Sequence, residues 1–180
     1  MGIGEYIQEQ VGLIPVIVYV IALIILITSA AVLLSFKRCT NKSTVFFSIF
    51  LIEYLFMIFG TTVVFRVAFQ NSLYNFTPFW SYQGKPYGEE LMLPETIVNI
   101  AMFIPVGVLI CTLFRKLSWW QVLMSGAAIS MTIEVLQFIF KKGFSEFDDV
   151  FHNSLGCMIG YGIYKLLKWR FGRLNNRVNE

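Results

Sequence analysis

Apolar positions fall into five long runs, at about residues 11–36, 44–65, 96–114, 119–140 and 150–167, joined by polar stretches. Residues 10–36 contain no Asp, Glu, Lys, Arg or His. A bilayer-crossing helix needs roughly 20 predominantly apolar residues. In lipid every backbone N–H and C=O must be satisfied internally, so segments of this length are expected to be helices. The pattern predicts an all-α, polytopic membrane protein with five transmembrane helices. A cleaved signal peptide does not fit the first run. The residues before it carry Glu5 and Glu9 and no Lys or Arg, and the run exceeds the 7–15 apolar residues of a signal sequence.

Charge placement adds direction. Lys37, Arg38 and Lys42 lie between runs one and two, and Arg115 and Lys116 between three and four. Lys165, Lys168, Arg170, Arg173 and Arg177 lie at the C-terminal end. These are ten of the 14 Lys and Arg residues, and the positive-inside rule assigns their side to the cytoplasm. Arg66, Lys85, Lys141 and Lys142 fall on the other side, with most of the acidic residues. The expected topology has the N-terminus outside and the C-terminus cytoplasmic. The composition agrees: of 180 residues, 57% are hydrophobic and 14% charged, against about 25% charged in a soluble domain. The basic tail reads as a stop signal and lipid head-group anchor, and no nucleic-acid partner is expected. Cys111 and Cys157, inside apolar runs, read as small buried hydrophobes.

With this topology the costly residues form one outward layer. Asn99 begins run three. Glu134 lies six residues before the outer end of run four, roughly 9 Å at 1.5 Å per residue, with Gln137 closer still. Asp148, Asp149, His152 and Asn153 open run five, and Arg66 ends run two. Ser130, Glu134, Gln137 and Lys141 step by four, three and four, so they share one helix face. Asp149, Asn153, Gly156 and Gly160 do the same, which makes the two stripes natural partners. Gly156 and Gly160 form a GxxxG pair that lets backbones approach closely in lipid. An intramembrane acid is expensive and defaults to a functional reading. The bland alternative is that Glu134, Gln137 and Asn153 only tie helices together. Glu53, midway along run two, reads as a structural or protonated carboxyl. Pro105, followed by Gly107, predicts a kink in run three. Asp148, Asp149 and His152 could cluster, but a metal site needs further well-spaced ligands, so His152 reads as a head-group contact. The loop at about 66–95 is dense in aromatics, among them Tyr74, Phe79, Trp80, Tyr82 and Tyr87, and suits the outer interface.

Four ordered blocks resemble the VanZ-like family of bacterial membrane proteins. They are "YNFTPFW" at 74–80, "NIAMFIPVG" at 99–107, "IEVLQ" at 133–137 and "DDVFHNSLGCMIGY" at 148–161. Together they cover about residues 50–168, which leaves the first helix as an addition to a four-helix core. The resemblance implies site positions at Asn75, Asn99, Glu134, Gln137, Asp149, Asn153, Gly156 and Gly160. It also implies an association with resistance to lipoglycopeptide antibiotics, teicoplanin above all, in Gram-positive bacteria. One departure is that the family usually has an arginine shortly before its aspartate motif, where this chain has Lys141, Lys142 and Gly143.

The resulting division is an N-terminal helix and basic loop at 1–43, a VanZ-like membrane domain at 44–168 and a basic cytoplasmic tail at 169–180. The leading expectation is an envelope protein that lowers glycopeptide susceptibility. It would bind or modify an anionic lipid or lipid-linked wall component at the outer leaflet, with lipids, a lipid-linked precursor or the lipoglycopeptide itself as partners. A second reading is an enzyme on a lipid phosphate or lipid-linked sugar. In it Glu134 acts as general base, Asp149 or His152 orients it or holds a metal, and Arg66 or Lys141 receives the head group. Asn75, Asn99, Gln137, Asn153 and His152 complete the candidate binding set, and Pro105, Gly107, Gly156 and Gly160 the structural one. No cofactor or metal is expected. A third reading is a non-catalytic packing or partner protein.

Overall fold

The computed structural model describes residues 42–66, 68–82 and 93–178. The first apolar run, Lys85 and Tyr87 lie outside the described residues. Four helices carry the fold: α1 (Lys42–Phe59), α2 (Leu93–Leu113), α3 (Trp119–Phe140) and α4 (Phe147–Val178). Two short strands, β1 (Leu73–Asn75) and β2 (Phe144–Glu146), pair in parallel.

The helices coincide with runs two to five, and their ends have local causes. At the start of α3, Gln121 Oε1 accepts from both the backbone N–H and the hydroxyl of Ser118, each at 2.9 Å. This satisfies a donor that the helix leaves open. At its end Lys141 adopts a left-handed conformation, φ 57°, and Lys142 N–H returns to Gln137 O at 2.8 Å. That reversal is a common helix stop. α1 ends in a wider turn at Gly60–Val64. α2 runs as one helix through Pro105.

Three described segments are long and apolar enough to cross a membrane: Lys42–Val64, Pro94–Leu113 and Trp119–Phe140. The fifth run is not among them. The reason is its composition. α4 opens on Asp148, Asp149, His152 and Asn153 and turns basic from Lys165 onward. Its faces are nevertheless sharply divided. His152, Asn153, Gly156, Cys157 and Gly160 are buried, while Phe151, Leu155, Ile159, Ile163 and Leu166 are exposed.

α4 packs mainly on α2 and then on α3, and small residues set that distance. A Cβ on Gly156 would collide with Ile100 O, one on Gly160 with Ile104 O, and one on Gly107 with Cys157 O. A Cβ on Gly126 of α3 would stand 2.8 Å from Cys157 Sγ. The GxxxG face therefore meets α2 and not the α3 stripe. Cys157, buried and unoxidised, is the wedge where three helices meet. Phe103, Val106, Ile110, Val122 and Ile133 fill the core around it.

Candidate functional site

One turn outward from Cys157 the packed surfaces change from apolar to polar. Asn153 Nδ2 donates to Ser130 Oγ at 2.8 Å, which links α4 to α3. Asn99 Nδ2 donates to Asp149 Oδ1 at 2.7 Å, which links α2 to α4. Glu134 is only 4% exposed, and its Oε2 accepts from Glu146 N–H at 2.8 Å. Ser145 Oγ donates to Glu134 O at 3.1 Å. The α3 stripe and the first turns of α4 thus meet, with Asn99 entering from α2. Asp148 and Asp149 occupy the first turn of α4, where the helix dipole favours an acid.

The segment between α1 and α2 roofs this cluster. β1 pairs with β2, and Asn75 stands opposite Glu146. Trp80 Nε1 donates to Glu146 Oε2 at 3.0 Å. Asp148, fully buried, accepts from Phe79 N–H at 2.6 Å, from Ser81 N–H at 3.0 Å and from the Ser81 hydroxyl. These bonds fix residues 79–82 over the start of α4, with Phe79 held at φ 59°. Glu146 is buried beside Asp149, Glu95 and Asp148. Burial first, and the Asp149 charge next, push its carboxyl up to about 8, partly offset by the Trp80 bond.

A family model described as VanZ/LLP1 matches residues 16–168. The chain belongs to the VanZ/LLP1 family. It is also 27% identical over 117 residues to Protein VanZ of Enterococcus faecium, across 62% of this chain and 72% of that protein. No solved structure matches. The family match begins inside the first apolar run, so it extends well beyond the four blocks at about 50–168. Most of that run is matched with the rest and does not stand outside the likeness.

Within this VanZ-like chain the candidate residues separate into three places. Glu134, Asp149, Asn99 and Asn153 form the central cluster. Gln137 lies at its edge, where Nε2 donates to Thr62 O at 2.9 Å. The wide turn at the end of α1 exposes that carbonyl, and Gln137 caps it. Arg66 follows the same turn, close enough for its charge to act on Asp149. Lys141 points away from the cluster, is exposed and donates to Gln70 O at 3.1 Å. Lys142 donates to Val64 O at 2.6 Å. Asn75 closes a turn by accepting Thr77 N–H at 2.9 Å. His152 is 1% exposed and hydrogen-bonded through Nε2 to the Tyr82 hydroxyl at 2.7 Å. It is therefore an internal contact to the roof and is not presented to head groups.

Sequence reasoning missed Glu146, Ser145, Ser81 and Trp80. Glu146 had a signal, an acid in the "FSEFDD" run at 144–149, but only the parallel strand pair turns it inward. Several buried polar atoms lack a protein partner: Arg66 Nε, Gln137 Oε1, Asn153 Oδ1, His152 Nδ1 and, apart from these, Glu53 Oε1. Among the described residues no three His, Cys, Asp or Glu side chains form a metal-binding group. The arrangement provides neighbouring carboxylates, buried amide acceptors and one guanidinium. Such a set can hold a polar group and exchange a proton with it.

Proposed function

We propose that this protein is a multi-pass cell-envelope protein that lowers susceptibility to teicoplanin-type lipoglycopeptides. It acts by engaging an anionic lipid or lipid-linked wall component at the outer leaflet. Family membership supports the resistance role. The observation that carries the site is the convergence of Asn99, Glu134, Asp149 and Asn153 from three helices under a roof clamped by Asp148 and Glu146. Buried groups that cost this much in lipid are retained where a function uses them. The charge count supports N-terminus outside and C-terminus inside, with five spans. The apolar outer face of α4 supports embedding it as the fifth span, polar side inward and Phe151, Leu155 and Ile159 toward lipid. Expression of the chain in a susceptible Gram-positive host is expected to raise the minimal inhibitory concentration of teicoplanin. Unchanged susceptibility with the protein present in the membrane would refute the proposal.

One observation favours a second reading, an enzyme acting on a lipid phosphate or lipid-linked sugar. The Glu146 carboxyl, pushed up to about 8, lies in the range where an acid both gives and takes a proton at neutral pH. It contacts Glu134 through its own backbone N–H. Turnover of a labelled lipid-linked substrate by the purified protein, lost in Glu134→Gln, is the expected result of this reading. No turnover leaves binding alone.

A further inference from the structure

Three of the four basic residues on the outer side converge on one crossing. The segment after α1 and the turn after α3 run across each other, joined by Phe69 N–H to Lys141 O at 2.8 Å and by an antiparallel bridge between Ala68 and Lys142. Lys142 Nζ reaches back to Val64 O, and Lys141 Nζ reaches Gln70 O. The Arg66 guanidinium lies over Gly143. A Cβ there would stand 2.6 Å from Arg66 Nη1 and 3.4 Å from Gln137 Nε2. Gly143 has φ +87°, which a residue with a side chain adopts only under strain. The glycine therefore serves both the turn and the seat of the guanidinium. Each ammonium has three N–H donors and uses one on a carbonyl. Arg66 Nε is buried with no partner.

We propose that this crossing binds an oxyanion, the phosphate of an outer-leaflet lipid or lipid-linked wall component. Asp149 on the inner side takes part of the Arg66 field. The two lysines flank Arg66 and leave the crossing net positive. One guanidinium and two ammonium groups carried by the same crossing supply charge-assisted donors suited to a tetrahedral oxyanion. Gly143 leaves room for the Arg66 guanidinium at the crossing. The site deepens the proposed reading, and it depends on that reading only for placing this end of the helices at the outer leaflet.

The test uses the purified full-length chain in detergent, titrated with dioctanoyl phosphatidylglycerol, with dioctanoylglycerol, which lacks the phosphate, and with inorganic phosphate. The lipid phosphate is expected to bind and dioctanoylglycerol is not. Arg66→Gln is expected to weaken binding about tenfold, the loss of one charge-assisted partner. Lys141→Gln, at an exposed position that leaves the fold intact, is expected to weaken it by a smaller factor of about threefold. The pair Lys165→Gln and Lys168→Gln, at the other end of α4, should leave binding unchanged. Competition by inorganic phosphate at equal strength supports the oxyanion site and assigns it to free phosphate. Undiminished binding in both Arg66→Gln and Lys141→Gln, or equal binding of dioctanoylglycerol, overturns the site. A chain that confers teicoplanin resistance without binding phosphate removes the site alone. One that binds phosphate but confers no resistance removes the functional reading alone.

Discussion

Asn99 and Asp149, fifty positions apart, are joined by a 2.7 Å hydrogen bond that ties the N-terminal part of α2 to the first turn of α4. Asp149 also lies within electrostatic reach of Glu146 and Arg66. Replacing Asn99 with Ala removes a donor to a buried acid, at a cost of about 1–3 kcal/mol. Thermal unfolding of the purified protein should show that loss. Asn99→Asp should lose more, because it places a second acid against Asp149.

The glycine contacts make a contrasting pair. A methyl group on Gly107 or Gly160 meets backbone atoms of the facing helix, whereas Gly162 has nothing within 4 Å. Gly107→Ala and Gly160→Ala should each destabilise by at least about 1–3 kcal/mol, the usual overpacking cost. Gly162→Ala should stabilise by about 0.5–1 kcal/mol through helix propensity. Comparing the three unfolding temperatures checks the α2–α4 interface directly.

Sequence periodicity made much of this legible. Runs two to five match α1 to α4, and of the two stripes Ser130 meets Asp149 and Asn153, while Gln137 turns to Thr62, Lys141 to Gln70, and Gly156 and Gly160 to α2. The GxxxG partner was not legible, because a small-residue stripe records how close a neighbour comes and not which neighbour it is. The roof was also hidden. Its parallel strand pair is three residues long and joins segments about 70 positions apart. No local pattern announces such a pairing. For the same reason His152 read as a surface contact, since its partner Tyr82 belongs to that roof.

Asp148 clamps the roof through three donors from Phe79 and Ser81. Asp148→Ala leaves the two N–H groups without their acceptor, and Asp148→Asn keeps the shape but weakens the bonds. Trp80 should become more exposed in both, more so in Asp148→Ala. Its fluorescence should shift to the red, with faster acrylamide quenching. An unchanged spectrum would show that Asp148 does not hold this segment.

Glu146 brings a pH dependence with a definite sign. Its folded value, about 8, lies above the ordinary 4.5, so the folded state holds the proton more tightly than the unfolded chain does. Its contribution to stability is full below about 4.5 and is lost as pH rises through about 8. Unfolding temperature should therefore fall between pH values of about 5 and about 9. Glu146→Gln should flatten that slope.

The most direct measurement is teicoplanin susceptibility of cells expressing Glu134→Gln, with membrane protein level and unfolding temperature measured in parallel. Glutamine keeps an oxygen for the Glu146 N–H and removes the titratable proton. A fall to the susceptibility of cells without the protein, at normal abundance and stability, is the expected result. Full resistance in that variant would contradict a functional role for the buried acid and leave Glu134 as a helix tie.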